Sequence, residues 1–383
     1  MNTNPQGNGL LTQYIKSQLV ETPIQTLVFK EKKFLPKDVD VYYTKNIKAT
    51  RKIAQIVGQY SEAKNVREEK KIESQEIKLY PSRETDSVGI DEVTNFGEIE
   101  EQYLKEHRAA QNGKYPFIPS GALQEKLDWL KQQRLYTVGL NLAARQFFLR
   151  QAKQNSCISR GIWEYADSEI SNVKIDFGID IKFPQGVSWS DLDNATPLKD
   201  LDFAFDAMRK NRQTPFAIFM GEDAATNFER NRKEVSSMFQ FMPQLPEVKV
   251  SNPKVSIAES IMDTNAGYKL VGSYKQLPIY SISNEVVVPQ TDGNSETVQT
   301  FDPYAVSIVA KDNVMGVQNF VDVFGNLAFF QSAENNELVI ISKEYVVYYG
   351  DLSSDKTRKN YFSMSKHAPI IENPDALYIF NVA

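Results

Sequence analysis

The chain is poor in the residues that most often build chemistry. In 383 residues it has two histidines, His107 and His367, and one cysteine, Cys157. A histidine-rich metal site or a Cys/His cluster is not expected, because structural zinc takes four such ligands. A single cysteine forms no internal disulfide and fits a reducing compartment. No apolar run reaches the roughly 18 residues of a membrane helix. The first nine residues, Met1 to Gly9, have neither a basic start nor an apolar core. They are expected to be an arm rather than a signal peptide.

Positive charge is also short. There are 44 basic and 49 acidic residues, a net charge of −5, and no strong basic block. Phosphate binding needs clustered positive charge, so dedicated nucleic-acid recognition is not expected. A weakly acidic surface that faces DNA without gripping it remains compatible. The 22 Phe and 18 Tyr are spread along the chain rather than interleaved with basic residues. Nucleotide loops, a nucleophile elbow, zincin helices and EF-hand loops are missing. Neither an internal repeat nor a low-complexity segment is present.

What is there reads as a sequence of elements. Leu11, Tyr14, Ile15 and Leu19 share one face of a short amphipathic piece. From Val39 the apolar residues alternate, and a charged stretch from Glu62 to Glu76 precedes Pro81. This predicts a long β-hairpin over residues 39–90; a solvated helix through Glu62 to Glu76 fits the pattern equally well. A two-stranded hairpin is marginal alone, so one this polar has to lie on a partner or stay mobile. Residues 91–119 are acidic and then loop-like. The strongest helix follows, capped at Ser120 and running over residues 121–154. At 1.5 Å per residue it spans on the order of 45 Å, a structural spine.

Shorter signals complete the chain. Strands are expected at Val173 to Phe177 and Ile179 to Phe183, a helix after Pro197, and a buried strand at Pro215 to Met220 leading into a helix from Ala224. Further strands are expected near Lys275 to Ile282, Val306 to Ala310, Val314 to Val323, Leu338 to Ile341 and Tyr345 to Tyr349. At the end, the strand-like runs Tyr361 to Lys366 and Ala376 to Ala383 flank the turn signal Asn373-Pro374-Asp375. A terminus that stops in a strand is usually tied into a sheet.

Candidate chemistry is thin. Glu222 and Asp223 sit between a buried strand and a helix, where an α/β enzyme places acidic ligands. Acids favoured by a helix N-terminus are the commoner reason for such a pair. His367 sits in a strand-rich segment without a serine or cysteine motif pointing at it. Cys157 lies just past the spine, and Asp191 with Asp193 reads as turn acids before a helix rather than a cation site. Arg67, Glu68, Glu69, Lys70 and Lys71 form a charge block that on a projecting hairpin would set register with a neighbour.

Taken in order, these pieces resemble the lambda-type bacteriophage major capsid proteins, the capsid protein E family. The resemblance rests on Leu27 to Glu31 with Phe34, the charged hairpin and long helix, and Val173 to Gly178. It continues through Trp189-Ser190, Pro197 to Asp202, Phe216 to Met220 and the ending from Tyr361 to Ala383. It implies an α+β tailed-phage (Hong Kong 97-like) capsid fold. The implied parts are an N-terminal arm over 1–38 and an extended loop over 39–90. A peripheral domain with its spine would occupy 91–213, an axial domain 214–330, and a return to the peripheral sheet 331–383.

The resemblance also implies a function: a non-enzymatic shell subunit with no cofactor, assembling as pentamers and hexamers around double-stranded DNA. Its partners would be its own copies, a scaffold protein, a portal and a maturation protease, with a decoration protein in some relatives and no membrane. Its location would be the virion head, built in the host bacterial cytoplasm. Arg67 to Lys71 match the hairpin tip over a neighbouring subunit, although relatives often have a glycine-rich tip there. A cargo-holding protein nanocompartment of encapsulin type and a soluble α/β enzyme are the alternatives.

Overall fold

The computed structural model describes residues 21–37, 39–44, 46–47, 72–73, 75–89, 120–165, 173–184, 186–231, 267–283, 285–289, 295–312, 318–330, 338–352 and 358–383. The helix expected at Leu11 to Leu19 and the acidic stretch 91–119 fall outside them.

Long-range strand pairing organises the molecule around one helix. Helix α1, Ser120–Arg160, has 41 residues and is about 60 Å long. It runs six residues beyond the expected end. Asn155 and Ser156 are weak helix formers, but Cys157 and Ile158 are fully buried and carry the packing onward. Gly161 then stops the helix: its φ is +68° and its N–H donates to Cys157 O at 2.9 Å. Glycine adopts this left-handed conformation without a Cβ penalty.

The largest sheet has five strands in the order Tyr268–Tyr274, Leu277–Ile282, Pro215–Gly221, Ala305–Ala310, Leu377–Asn381. Pro215–Gly221 lies at its centre, parallel to Leu277–Ile282 and antiparallel to Ala305–Ala310. Residues 217–221 and all of 305–310 are buried, so these strands are apolar on both sides rather than alternating. Helices α2, Pro197–Lys210, and α3, Glu222–Arg230, pack on the central strand. Trp189 anchors this lobe: it is fully buried, its Nε1 donates to Asp200 Oδ2 at 2.9 Å, and its ring meets Phe228 and Phe380.

Two smaller sheets lie along α1. Lys32–Phe34 pairs in parallel with Phe320–Phe324, which pairs antiparallel with His367–Ile371. Arg358–Ser365 sits between Tyr345–Leu352 and Ser82–Gly89. The hairpin root is present: Val41–Tyr43 pairs with Glu76–Lys78, and Asn46–Ile47 with Ile72–Glu73.

Pairing redraws the expected linear divisions at three places. Ser82–Gly89 leaves the hairpin and joins Arg358–Ser365. Phe320–Phe324, expected with residues 214–330, joins the arm strand and His367–Ile371. Leu377–Asn381, expected with the 331–383 return, completes the five-stranded sheet beside Ala305–Ala310. Strand composition shows which residues seek burial. It does not show which distant neighbour accepts their hydrogen bonds.

Candidate functional site

Glu21, Lys32, Arg150, Gln154, Asp322 and Glu344 meet where the arm, α1 and the 320–324 strand converge. Arg150 Nε donates to Asp322 Oδ2 at 2.5 Å, and its Nη1 to Glu344 Oε2 at 2.9 Å. Gln154 Nε2 donates to the same Asp322 oxygen at 2.9 Å. Lys32 Nζ bridges Glu344 at 3.0 Å and Glu21 at 2.9 Å. Arg150 also lies over the Phe324 ring, 5.1 Å from its centroid. The network thus ties residues 21 and 32 of the arm to the spine and to two later segments.

Burial governs its electrostatics. Asp322 is fully buried, which pushes its carboxyl up, while Arg150 pulls it back down. Burial opposes the charge on Arg150, but Asp322 and Glu344 outweigh it and hold the guanidinium more firmly charged than usual. One turn along, burial brings Lys153 down to about 8, against the pull of Asp322 and Cys157. Its Nζ donates to His367 O at 3.2 Å and lies 4.9 Å from the Trp163 ring centroid.

The hairpin root is pinned to the same body. Tyr42 donates its phenol to Glu372, and Lys366 pairs with Asp40. Burial, then Glu372, raises the Tyr42 phenol, so it stays a donor. Lys33 Nζ donates to Tyr42 OH at 3.2 Å. Glu372 and Lys366 are buried whereas Asp40 is exposed, so these polar contacts orient the root on the body.

The residues singled out from sequence do not converge on a reaction centre. Glu222 accepts from Ser283 Oγ at 2.5 Å, whereas Asp223 acts on Tyr304. Cys157 is buried and its thiol is pushed well up by burial and Asp322, the opposite of a reactive thiolate. Asp191 caps its own turn, accepting from the Asp193 and Asn194 N–H groups at 3.3 Å each. Among the described residues no three His, Cys, Asp or Glu side chains are grouped as a metal site. Arg67, Glu68, Glu69, Lys70 and Lys71 lie outside the described residues. What sequence reading missed is the latch that Lys32, Arg150, Gln154, Asp322 and Glu344 form between residues 21–34 and the spine. Its one signal was Asp322, an acid inside the otherwise apolar Phe320–Phe324 strand.

His367 has a structural consequence instead. It is fully buried, and burial, Lys153 and Arg150 push its pKa well below the ordinary value. Asp322 and Cys157 in turn face Lys153. The unfolded chain then binds one proton more than the folded chain once pH falls below about 6.5. The His367 contribution is therefore complete above that pH and falls by up to about 1.4 kcal/mol per pH unit below it, whereas Lys153, lowered from 10.5 to about 8, costs stability as pH falls through that higher range. Raised Asp322 works the other way, but only where carboxylates titrate. Urea unfolding between pH 7 and pH 5.5, below the Lys153 titration, should show this slope, and His367→Leu should flatten it.

No family model and no curated protein matches the chain. Solved structures do. A prophage protein of E. coli CFT073, provisionally assigned as a capsid protein, aligns over 98% of this chain and 99% of its own at 12% identity, with a TM-score of 0.60. A phage-related protein of Bordetella bronchiseptica RB50 aligns over 98% and 97% at 12% identity and a TM-score of 0.49. A subunit of the mature capsid of bacteriophage PhiM1 aligns over 95% and 87% at 9% identity and a TM-score of 0.45. The first likeness spans both chains from end to end and gives this chain its fold.

Proposed function

We propose that this chain, which has the tailed-phage capsid fold, is the repeating shell subunit of a phage or prophage head. The observation that carries the reading is the end-to-end match, 98% of this chain on 99% of the prophage protein. The latch and the pinned hairpin root support it physically. They hold residues 21–34 and the hairpin root against the body.

On this reading the copies form pentamers and hexamers, and the shell surrounds double-stranded DNA held without sequence recognition. Many modest contacts between copies add through multivalency, so no single interface has to be strong. Scaffold, portal, protease and decoration proteins would act on the assembled surface, and the protein would reside in the virion. The structural neighbours bear capsid rather than enzyme descriptions, in keeping with a structural role.

Electron microscopy of the purified full chain, alone and co-expressed with a scaffold protein, tests this. Closed shells, or rings of five- and six-fold symmetry, are the expected result. A uniform monomer or dimer under both conditions overturns it.

A further inference from the structure

The five-stranded sheet has two chemically different ends. Pro215–Gly221 and Leu277–Ile282 run in one direction, with Ala305–Ala310 and Tyr268–Tyr274 against them. Thr214, the Lys275-Gln276 turn and Lys311 therefore share one end. Helix α2 finishes at Lys210 on that same end, bringing Arg209, Lys210 and Arg212 with it. Gly221, Ser283 and the Asp302–Tyr304 turn share the other end, where α3 starts at Glu222 and Asp223. Arg209, Lys210, Arg212, Lys275 and Lys311 are all exposed, and so are Glu222, Asp223, Glu285 and Tyr304. Basic side chains outnumber acidic ones at the first end, where Asp202, Asp206 and Asp375 also stand, and acidic ones predominate at the other, where Lys269 pairs with Glu229.

The cationic end is also concave. A cleft of about 230 Å³ opens there, walled by Phe205, Pro215 and Leu277 and rimmed by Arg209 and Lys275. The rim cations are steadied by local acids, Lys275 by Asp202 at 2.5 Å and Arg209 by Asp206 at 3.6 Å. Within the cleft Gln213 is 7% exposed, and its Oε1 is buried without a hydrogen-bond partner. Such an acceptor is costly until a donor reaches it.

The anionic end carries what the cleft lacks. Tyr304 is 36% exposed and stands among Asp223 and Asp302. Its ring suits an apolar wall, its hydroxyl hydrogen-bonds Asp223 of its own chain, and the neighbouring carboxylates suit the cationic rim. We propose that the cleft of one copy receives the Tyr304 end of the next copy, in a head-to-tail contact between successive five-stranded sheets. A heterologous contact of this kind generates rings when its rotation closes. Cleft facing cleft would set cations against cations, which disfavours a two-fold dimer through the same surface. The contact rests on the shell reading and names a surface through which its rings form.

Two charge reversals test it. Arg209→Glu with Lys275→Glu makes one variant, and Glu222→Lys with Asp223→Lys the other; circular dichroism confirms that each is folded. Each alone sets like charges across the contact and is expected to form no rings by native mass spectrometry and negative-stain microscopy. Mixed one to one, the two variants can only alternate, so six-membered rings form and five-membered rings do not. A single chain carrying all four substitutions recovers both. Tyr304→Ala is a second arm that leaves every charge in place, and it should raise the concentration needed for rings at least tenfold. A charge-reversed variant or a Tyr304→Ala chain that assembles like wild type overturns the contact and leaves the shell reading standing. A wild-type chain that never assembles overturns both.

Discussion

Replacing Asp322 by alanine is expected to cost the subunit about 3 kcal/mol, at the lower end of the 3–5 kcal/mol seen when one partner of a buried ion pair is removed. Asp322 is fully buried and takes hydrogen bonds from Arg150 Nε and Gln154 Nε2. Its loss leaves a guanidinium whose side chain is only 6% exposed. Glu344 still contacts Nη1, which places the cost at the lower end rather than the top. The charge pair itself is not the source of net stability, because taking two ions out of water offsets most of their attraction. Asp322→Leu combined with Arg150→Met should therefore recover most of the loss. Urea midpoints of the unassembled subunit check both statements. A double variant as unstable as the single one would show that the site depends on its shape and not on its charge balance.

Gly221→Ala is expected to destabilise by about 3 kcal/mol, the upper end for overpacking a filled core. A Cβ at this position would lie 2.2 Å from Asp302 O and 2.4 Å from Pro303 O. Both are backbone atoms, directly ahead of the Ala305–Ala310 strand, and cannot yield without shifting it. Backbone strain contributes nothing, since φ is −65° and ψ is 166°, open to any residue. Gly186→Ala is the control: no atom lies within 4 Å of its added Cβ, so its urea midpoint should stay within about 0.5 kcal/mol of wild type. Near-equal effects of the two substitutions would remove the steric argument.

Elements with a local cause were legible in the sequence. The spine declared itself through leucines at helical spacing after Ser120, but its end was expected at residue 154 and falls at Arg160, before Gly161. Pro215–Gly221 is an unbroken apolar run of strand length, and Asn373 to Asp375 signalled the short turn now seen at Pro374–Ala376. The latch was not legible, because its members look ordinary one at a time. Arg150 and Lys153 read as the wet face of a helix until a strand from more than 170 residues later covers them. Lys32 reads as a surface lysine until Glu344 arrives. Only Asp322 betrays itself, since a carboxylate inside a buried strand demands a partner.

The separation of those partners has a consequence in time. Lys32 and Glu344 are 312 residues apart in the chain. At roughly 5–20 residues per second, a ribosome needs roughly 15–60 s to deliver the second after the first. The middle strand of the main sheet waits in the same way, because Leu377–Asn381 completes the order that begins around Pro215–Gly221. Neither lobe can close before those late residues are made. Folding is thus a late event and its apolar strands need protection until then, the general liability of distant pairings. A chain cut short before Leu377 lacks the strand that pairs with Ala305–Ala310 and leaves one edge of that fully buried strand uncovered.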